Sequence, residues 1–180
     1  MNARLKDYYK KFVVIKLQEH FHFININQVP KLTKIVINIG VGDAKDDVKV
    51  LNIASLELAS ITGQKPLICH AKKSISSFKL REGMPIGLKV TLRNRLMYEF
   101  LDKFINIAIP RIRDFRGIKV SNFDKYGNLN IGLSEQYIFP EVDIEKSDRS
   151  RGMNISIVTT ATNNTQAKVL LELLGVPFKK

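Results

Sequence analysis

The side chains with the most evident chemistry are cations. Lys72, Lys73, Lys79 and Arg81 cluster around Phe78, and Arg111, Arg113 and Arg116 follow, spaced by Ile112 and Phe115. Between His70 and Lys119 twelve bases stand against four acids, which is +8 of a formal net charge of +12. Such concentration marks a polyanion-binding surface rather than general solvation. Lysine and arginine at this density neutralise phosphates, and an aromatic ring among them can stack on a base. Nucleic acid is the leading partner. The alternative is an anionic membrane surface, met by a basic amphipathic helix over 4–20.

Groups that make and break bonds are sparse. His20, His22 and His70 lack the Cys/His clustering that zinc requires, and Cys69 is the sole cysteine. Cys69 falls in an expected strand, where a small half-buried residue is commoner than a nucleophile. Asp43, Asp46 and Asp47 lack the spacing of a calcium loop; Asp46 and Asp47 instead suit the start of a helix through its dipole. Gly40 and Gly42 follow a strand, but Lys45 stands where a dinucleotide site needs its third glycine. No catalytic residue, metal or cofactor is expected.

The elements that must carry the cations follow from periodicity. At 180 residues and 44% apolar content, the chain is expected to form a single domain, 1–180, with a substantial core. Helices are expected over 4–20, with Leu5, Tyr8, Phe12 and Ile15 as the apolar stripe, and over 47–61, 95–108 and 163–174. Asn163 or Asn164 should cap the last of these, with Gly175 closing it. Strands are expected over 34–39, 67–69, 88–93, 128–133 and 154–160. Most of these alternate: Ile, Leu or Val on one side, and on the other Asn38, Lys89, Thr91, Arg93, Asn128, Asn130, Ser156 and Thr160. Helices covering the apolar side would leave the polar side open. The fold class is therefore α+β: a mainly antiparallel sheet with helices on one face, an open polar and basic face, and a long basic hairpin loop over 71–85. Residues 135–151 read as a loop of mixed charge that includes Arg149 and Arg151. No apolar run approaches the ~20 residues needed to span a bilayer, and the N-terminus lacks the apolar core of a secretory signal.

Seven segments also carry a resemblance: INIGVG (37–42), ITGQKP (61–66), AKKSISSFKLREGMPIGLKVTLR (71–93), IPRIRDFRG (109–117), EQYIFPEVD (135–143), DRSRGMNISIVTTA (148–161) and LLGVPFKK (173–180). In this order they resemble the bacterial-type ribosomal large-subunit protein five family, the 5S-rRNA-binding proteins of the central protuberance. The resemblance implies a structural ribosomal protein, not an enzyme. Its partners would be 5S rRNA, neighbouring large-subunit rRNA, peptidyl-site tRNA, small-subunit head protein thirteen and other central-protuberance proteins, with no membrane. It implies that Asn38, Gln64 and Thr91 contact 5S rRNA; the strand pattern adds Lys89, Arg93, Ser156 and Thr160. It implies that Lys72, Lys73, Ser74, Phe78 and Arg81, with Lys79 among them, form the tRNA loop. Arg111, Arg113 and Arg116 match the family's arginine segment and, with Arg149 and Arg151, are expected to serve other rRNA or the inter-subunit bridge, which the resemblance implies near 114–117 and 135–148. Cys69-His70 departs from the family's usual Thr-Lys pair. Heavy use of Ile, Lys and Asn, with no leader, points to synthesis inside an organelle, and the bacterial-type likeness implies a plastid (chloroplast) ribosome. The mitochondrial matrix and the bacterial cytoplasm are the alternatives.

Overall fold

A computed structural model describes residues 3–45, 48–145 and 147–179. The expectation that Asp46 and Asp47 open the second helix lies outside the described residues. The helices are α1 (Arg4–Tyr8), α2 (Val14–Phe21), α3 (Val48–Thr62), α4 (Asn94–Lys103) and α5 (Asn164–Leu173). The strands are β1 (Leu32–Gly40), β2 (Leu67–His70), β3 (Pro85–Leu92), β4 (Leu129–Leu133) and β5 (Met153–Thr159). They form one sheet of order β2-β3-β1-β5-β4. All neighbours are antiparallel. Leu67 of β2 pairs with Lys89 of β3, and the Val41 N–H just beyond β1 donates to the Ile86 carbonyl. The start of β1 meets the end of β5 through Lys31 and Thr160, and β5 meets β4 through Ser156 and Asn130. The expected α+β class is what forms.

Alternation decides which side of each strand is covered. Ile35, Ile37 and Ile39 of β1, Leu88, Val90 and Leu92 of β3, Leu129 and Leu133 of β4, and Ile155 and Ile157 of β5 are all buried. Each such side chain contributes about 1.5–3 kcal/mol relative to exposure. Their neighbours Asn38, Lys89, Asn130 and Asn154 are exposed.

The chain packs as two compact units, each assembled from separate stretches: Met1–Ile35, Leu92–Ile131 and Ser156–Lys180 in one, Val36–Thr91 and Gly132–Ile155 in the other. Strands β1 and β5 run through both, so no linker marks the division.

In the first unit α1 contacts α4. Helices α1 and α2 are continuous through a π turn, Tyr9–Val13, and α4 continues into another, Phe104–Ala108. The sequence explains both. Buried Leu5, Tyr9, Val13 and Leu17 repeat every four residues, as do buried Phe100, Phe104 and Ala108. At about 3.6 residues per turn such a row drifts around an α-helix, and a wider π turn brings it back. This corrects the expected stripe: Tyr8, Phe12 and Ile15 are exposed, and only Leu5 of the expected four is buried. The two helices also share an ion pair, Arg4 Nη2 to Asp102 Oδ1 at 2.5 Å. The Tyr9 hydroxyl donates to the Pro30 carbonyl at 3.0 Å, and its ring lies 6.4 Å from that of Tyr98.

The start of α5 differs in mechanism from expectation. Asn163 occupies the cap position without a side-chain cap bond; instead the Thr162 hydroxyl and N–H both donate to Gln166 Oε1. Gly175, at φ +98°, ends the turn after α5 as expected. The chain then runs back past Gly117. There Ile118 N–H donates to the Pro177 carbonyl, and Lys179 N–H donates to the Ile118 carbonyl, both at 2.9 Å. Gly117 has φ +91°, and a Cβ there would stand 2.6 Å from the Lys179 nitrogen.

In the second unit α3 buries Leu51, Ala54, Leu58 and Ile61 on one side. Gly87 lets β3 approach β1, since a Cβ on it would lie 2.6 Å from the Ile39 carbonyl oxygen. The 134–152 connection is a loop, as expected, but it has its own anchors in Phe139, Val142 and Gln136, all buried.

Gly117→Ala should lower the unfolding free energy, read from a urea titration, by more than the ~1–2 kcal/mol cost of left-handed backbone alone, because it also strikes the Lys179 backbone. Gly40→Ala, where a Cβ meets nothing within 4 Å, should be nearly silent in the same titration. Burial, reinforced by Tyr98, pushes the Tyr9 hydroxyl up to about 12. Its contribution to stability is therefore complete below the ordinary tyrosine value of about 10 and lost as pH rises from there through about 12. Tyr9→Phe should cost about 1 kcal/mol at neutral pH through the lost hydrogen bond and show a shallower alkaline loss than the wild type in denaturant titrations.

Candidate nucleic-acid interface

Within the second unit, the uncovered side of the strands presents Asn38, Lys89, Thr91 and Asn154. Asn38, Lys89 and Asn154 are exposed and Thr91 is half-buried. Gln64 leaves the end of α3 and donates from Nε2 to the Thr91 carbonyl at 3.3 Å. That bond holds the amide beside Thr91 and explains how a residue outside the strands joins this surface. Its position rests on the helix stop at Gly63, whose φ is +69° and whose N–H donates to the Ala59 carbonyl at 2.8 Å.

The basic loop follows β2 and is more ordered than its composition suggests. Ile75 and Leu80 exchange both backbone hydrogen bonds, at 2.9 and 3.0 Å. Between them Ser76–Phe78 forms a 3₁₀ turn, and Lys79 takes the left-handed conformation at φ +51°. Lower down, Ser74 Oγ accepts from the Glu82 N–H at 2.9 Å, and Ala71 and Met84 pair through the Ala71 N–H at 2.8 Å. The loop is thus a small hairpin carried on the β2–β3 pair. Lys72, Lys73, Lys79 and Arg81 are exposed, and Phe78 is 67% exposed. No carboxylate of the described residues forms an ion pair with any of the four cations.

Within the first unit, Arg93 is exposed just before α4, in extended backbone. Ser156 donates to Asn130 Oδ1 at 2.6 Å across β5 and β4. Thr160 lies one residue beyond β5, and its Oγ1 accepts from the Lys31 N–H at 3.0 Å. Asn128, expected on the open face, has a structural task instead. It donates to Asp124 Oδ2 at 2.7 Å and accepts from the Thr159 N–H at 3.2 Å. Partial burial acts to raise the Asp124 carboxyl, but the Asn128 amide and the backbone N–H groups of Asn128 and Tyr126 outweigh it and hold it below its ordinary value.

The arginine segment lies between two buried residues, Ile109 and Ile118. Arg111, Arg113 and Arg116 are all exposed there, and the chain turns at Asp114, φ +53°.

Two cations read from the mixed-charge loop stand differently. Arg149 pairs with Asp43 on the surface. Arg151 is only 5% exposed, and this corrects its expected place on a contact surface. Its Nη2 lies 2.6 Å from Asp148 Oδ2, and its Nη1 lies 3.7 Å from Glu57 Oε2. Its backbone N–H donates to Gln136 Oε1, while Gln136 Nε2 donates to the Arg149 carbonyl at 2.8 Å. A buried guanidinium needs such carboxylates, so Arg151 fastens the loop to α3 rather than meeting a partner. Burial acts to raise the Asp148 carboxyl, but its hydrogen bond to Arg151 and that residue's charge hold it low.

Among the described residues no group of three or more His, Cys, Asp or Glu is placed to hold a metal ion. Among the described residues no helix is long and apolar enough to cross a membrane. Gly40 and Gly42 have open space around them, and a short 3₁₀ turn, Gly42–Lys45, follows them directly.

Comparison with known proteins gives a consistent result. A family model described as ribosomal protein L5 matches residues 25–81, and one described as the ribosomal L5P family C-terminus matches residues 85–178. The large ribosomal subunit protein uL5 of Caldanaerobacter subterraneus subsp. tengcongensis is 59% identical over 178 residues, covering 99% of both chains. Its counterpart in Prosthecochloris aestuarii is 58% identical over 99% of this chain and 91% of its own. That of Synechocystis sp. is 51% identical over 99% of each. With both parts of the family matched and nearly the whole chain covered, the protein belongs to the bacterial-type ribosomal protein uL5 family, structural and non-enzymatic constituents of the large ribosomal subunit that work among rRNA and other ribosomal proteins.

Proposed function

We propose that the uncovered side of the strands binds 5S rRNA and that the loop over 71–84 reaches peptidyl-site tRNA. The observation that carries the first part is the display of Asn38, Lys89 and Thr91 on one side of β1 and β3 while Ile37, Ile39, Leu88 and Val90 are buried on the other. Asn and Thr groups on an open surface bond 2′-hydroxyls and phosphate oxygens, and lysine supplies sequence-independent affinity. Gln64, Arg93, Ser156 and Thr160 extend this set. The loop differs in kind: it is a projecting hairpin whose exposed side chains are cations and one aromatic ring. In this reading Lys72, Lys73, Lys79 and Arg81 meet the tRNA backbone, Ser74 holds the loop through Glu82, and Phe78 packs on the ligand.

Arg111, Arg113 and Arg116 serve large-subunit rRNA or a neighbouring protein. The bridge to small-subunit head protein thirteen falls near 114–117 and the loop fastened by Arg151. The bacterial relatives favour a bacterial cytoplasmic ribosome over the plastid expected from residue usage. A coding sequence found in plastid DNA would reverse that preference.

The sheet-side assignment is tested by filter binding of cognate 5S rRNA across a salt series. Lys89→Ala should weaken binding and reduce the log–log salt slope by about one unit. Arg149→Ala, whose guanidinium already faces Asp43, should leave the slope unchanged. Failure of the wild-type chain to bind 5S rRNA at low salt would refute the assignment. For the loop, Phe78→Ala combined with Arg81→Ala should leave 5S rRNA affinity intact and speed dissociation of peptidyl-site tRNA from reconstituted ribosomes. Equal loss of both activities would contradict the division between sheet and loop.

A further inference from the structure

The N-terminal helix carries a surface that neither the sheet nor the basic loop accounts for. Tyr8, Phe12 and Ile15 are 41%, 54% and 53% exposed, and the rings of Tyr8 and Phe12 lie 5.4 Å apart. Lys11 is three residues after Tyr8 and four before Ile15, and Lys16 is four after Phe12. Both lysines are exposed, so cations flank this apolar row. Tyr8 also walls a pocket of about 280 Å³, with Arg4, Asp102 and Asn106 on its polar side and Leu5 and Ile105 on its apolar side. The polar side is neutralised internally. Arg4 Nε lies 3.1 Å from Asp102 Oδ2, and Asn106 Nδ2 donates to Asp102 Oδ1 at 2.6 Å. Asn106 Oδ1 remains an acceptor there.

We propose that this face is a second RNA contact, in which an unpaired nucleobase stacks on Tyr8 at the mouth of the pocket while neighbouring phosphates meet Lys11 and Lys16. Three observations converge on this ligand. Exposed aromatic rings beside lysines are the components of single-strand recognition, where stacking supplies affinity without sequence preference. The pocket is smaller than the ~300–1,000 Å³ usual for ligand sites, which suits one ring system. The flanking charge is positive, which favours a polyanion over an acid-poor protein surface. The inference rests on the chain's place in a ribosomal family and not on the 5S rRNA assignment.

The test titrates the full chain with a fluorescein-labelled single-stranded oligoadenylate. Tyr8→Leu keeps an apolar side chain and removes the ring; it should weaken binding about tenfold with an unchanged Tm, whereas Tyr8→Phe should bind as the wild type does. In ribosomes containing this chain, ultraviolet cross-linking followed by mass spectrometry should place a nucleotide adduct on the peptide bearing Tyr8 and Phe12. Unaltered oligoadenylate affinity in Tyr8→Leu, or a cross-link from this peptide to protein alone, would overturn the proposal. Lys89→Ala separates it from the sheet assignment: that variant should lose 5S rRNA affinity while the effect of Tyr8→Leu on oligoadenylate persists.

Discussion

Burial of only one side of the β-sheet is the constraint on which the rest of the molecule depends. The isoleucines, leucines and valines of β1, β3, β4 and β5 must leave water, and the helices are what covers them. A strand in this arrangement has no freedom over its other side: residues one position away must face outward. The polar and basic groups of Asn38, Lys89 and Thr91 are therefore displayed by the packing that stabilises the fold. A register slip of one residue would bury Lys89 and expose Val90. Display of these groups and stability of the fold are thus coupled, and the site needs no strained backbone to present it.

Between β2 and β3 the chain departs from the sheet. The loop between β2 and β3 buries Ala71 but little else, and holds itself through the Ile75–Leu80 pair and the Ser74–Glu82 bond. Exposed backbone bonds of this sort belong to the low-stability end of a fold. The 134–152 connection works oppositely. It buries Phe139, Gln136 and Arg151, and the charge of Arg151 is met by Asp148 and Glu57. Removing either carboxylate would leave a buried guanidinium short of a partner, so Arg151 ties this loop to its surroundings.

Much of this was legible in the residues. Alternation placed β1, β3, β4 and β5 and told covered side from open side, whereas β2 shows no such pattern; the loop stood out because it had charge without an apolar period. The misassignments share a physical cause: composition shows which residues are polar, not which neighbours satisfy them. Arg151 and Asn128 look like surface groups until Asp148, Glu57, Asp124 and the Thr159 N–H are found around them. The N-terminal stripe failed for a different reason. Two apolar rows compete there, 5-9-13-17 and 8-12-15, and an ideal α-helix favours the second. The first wins because a π turn straightens it, and the strict four-residue repeat was the available signal. The two compact units left no trace in the sequence, since each is gathered from distant segments.

The most direct test of the central claim is residue-resolved mapping of 5S rRNA on the protein by NMR, following backbone and side-chain shifts of the full chain during titration. If the uncovered side of the strands is the binding surface, perturbations should alternate along β1 and β3. Asn38, Lys89 and Thr91, with the Gln64 side-chain amide, should shift strongly while the side chains of Ile37 and Val90 stay nearly still. Perturbations concentrated on α3 or on the 134–152 loop, with Asn38, Lys89 and Thr91 unmoved, would contradict the claim.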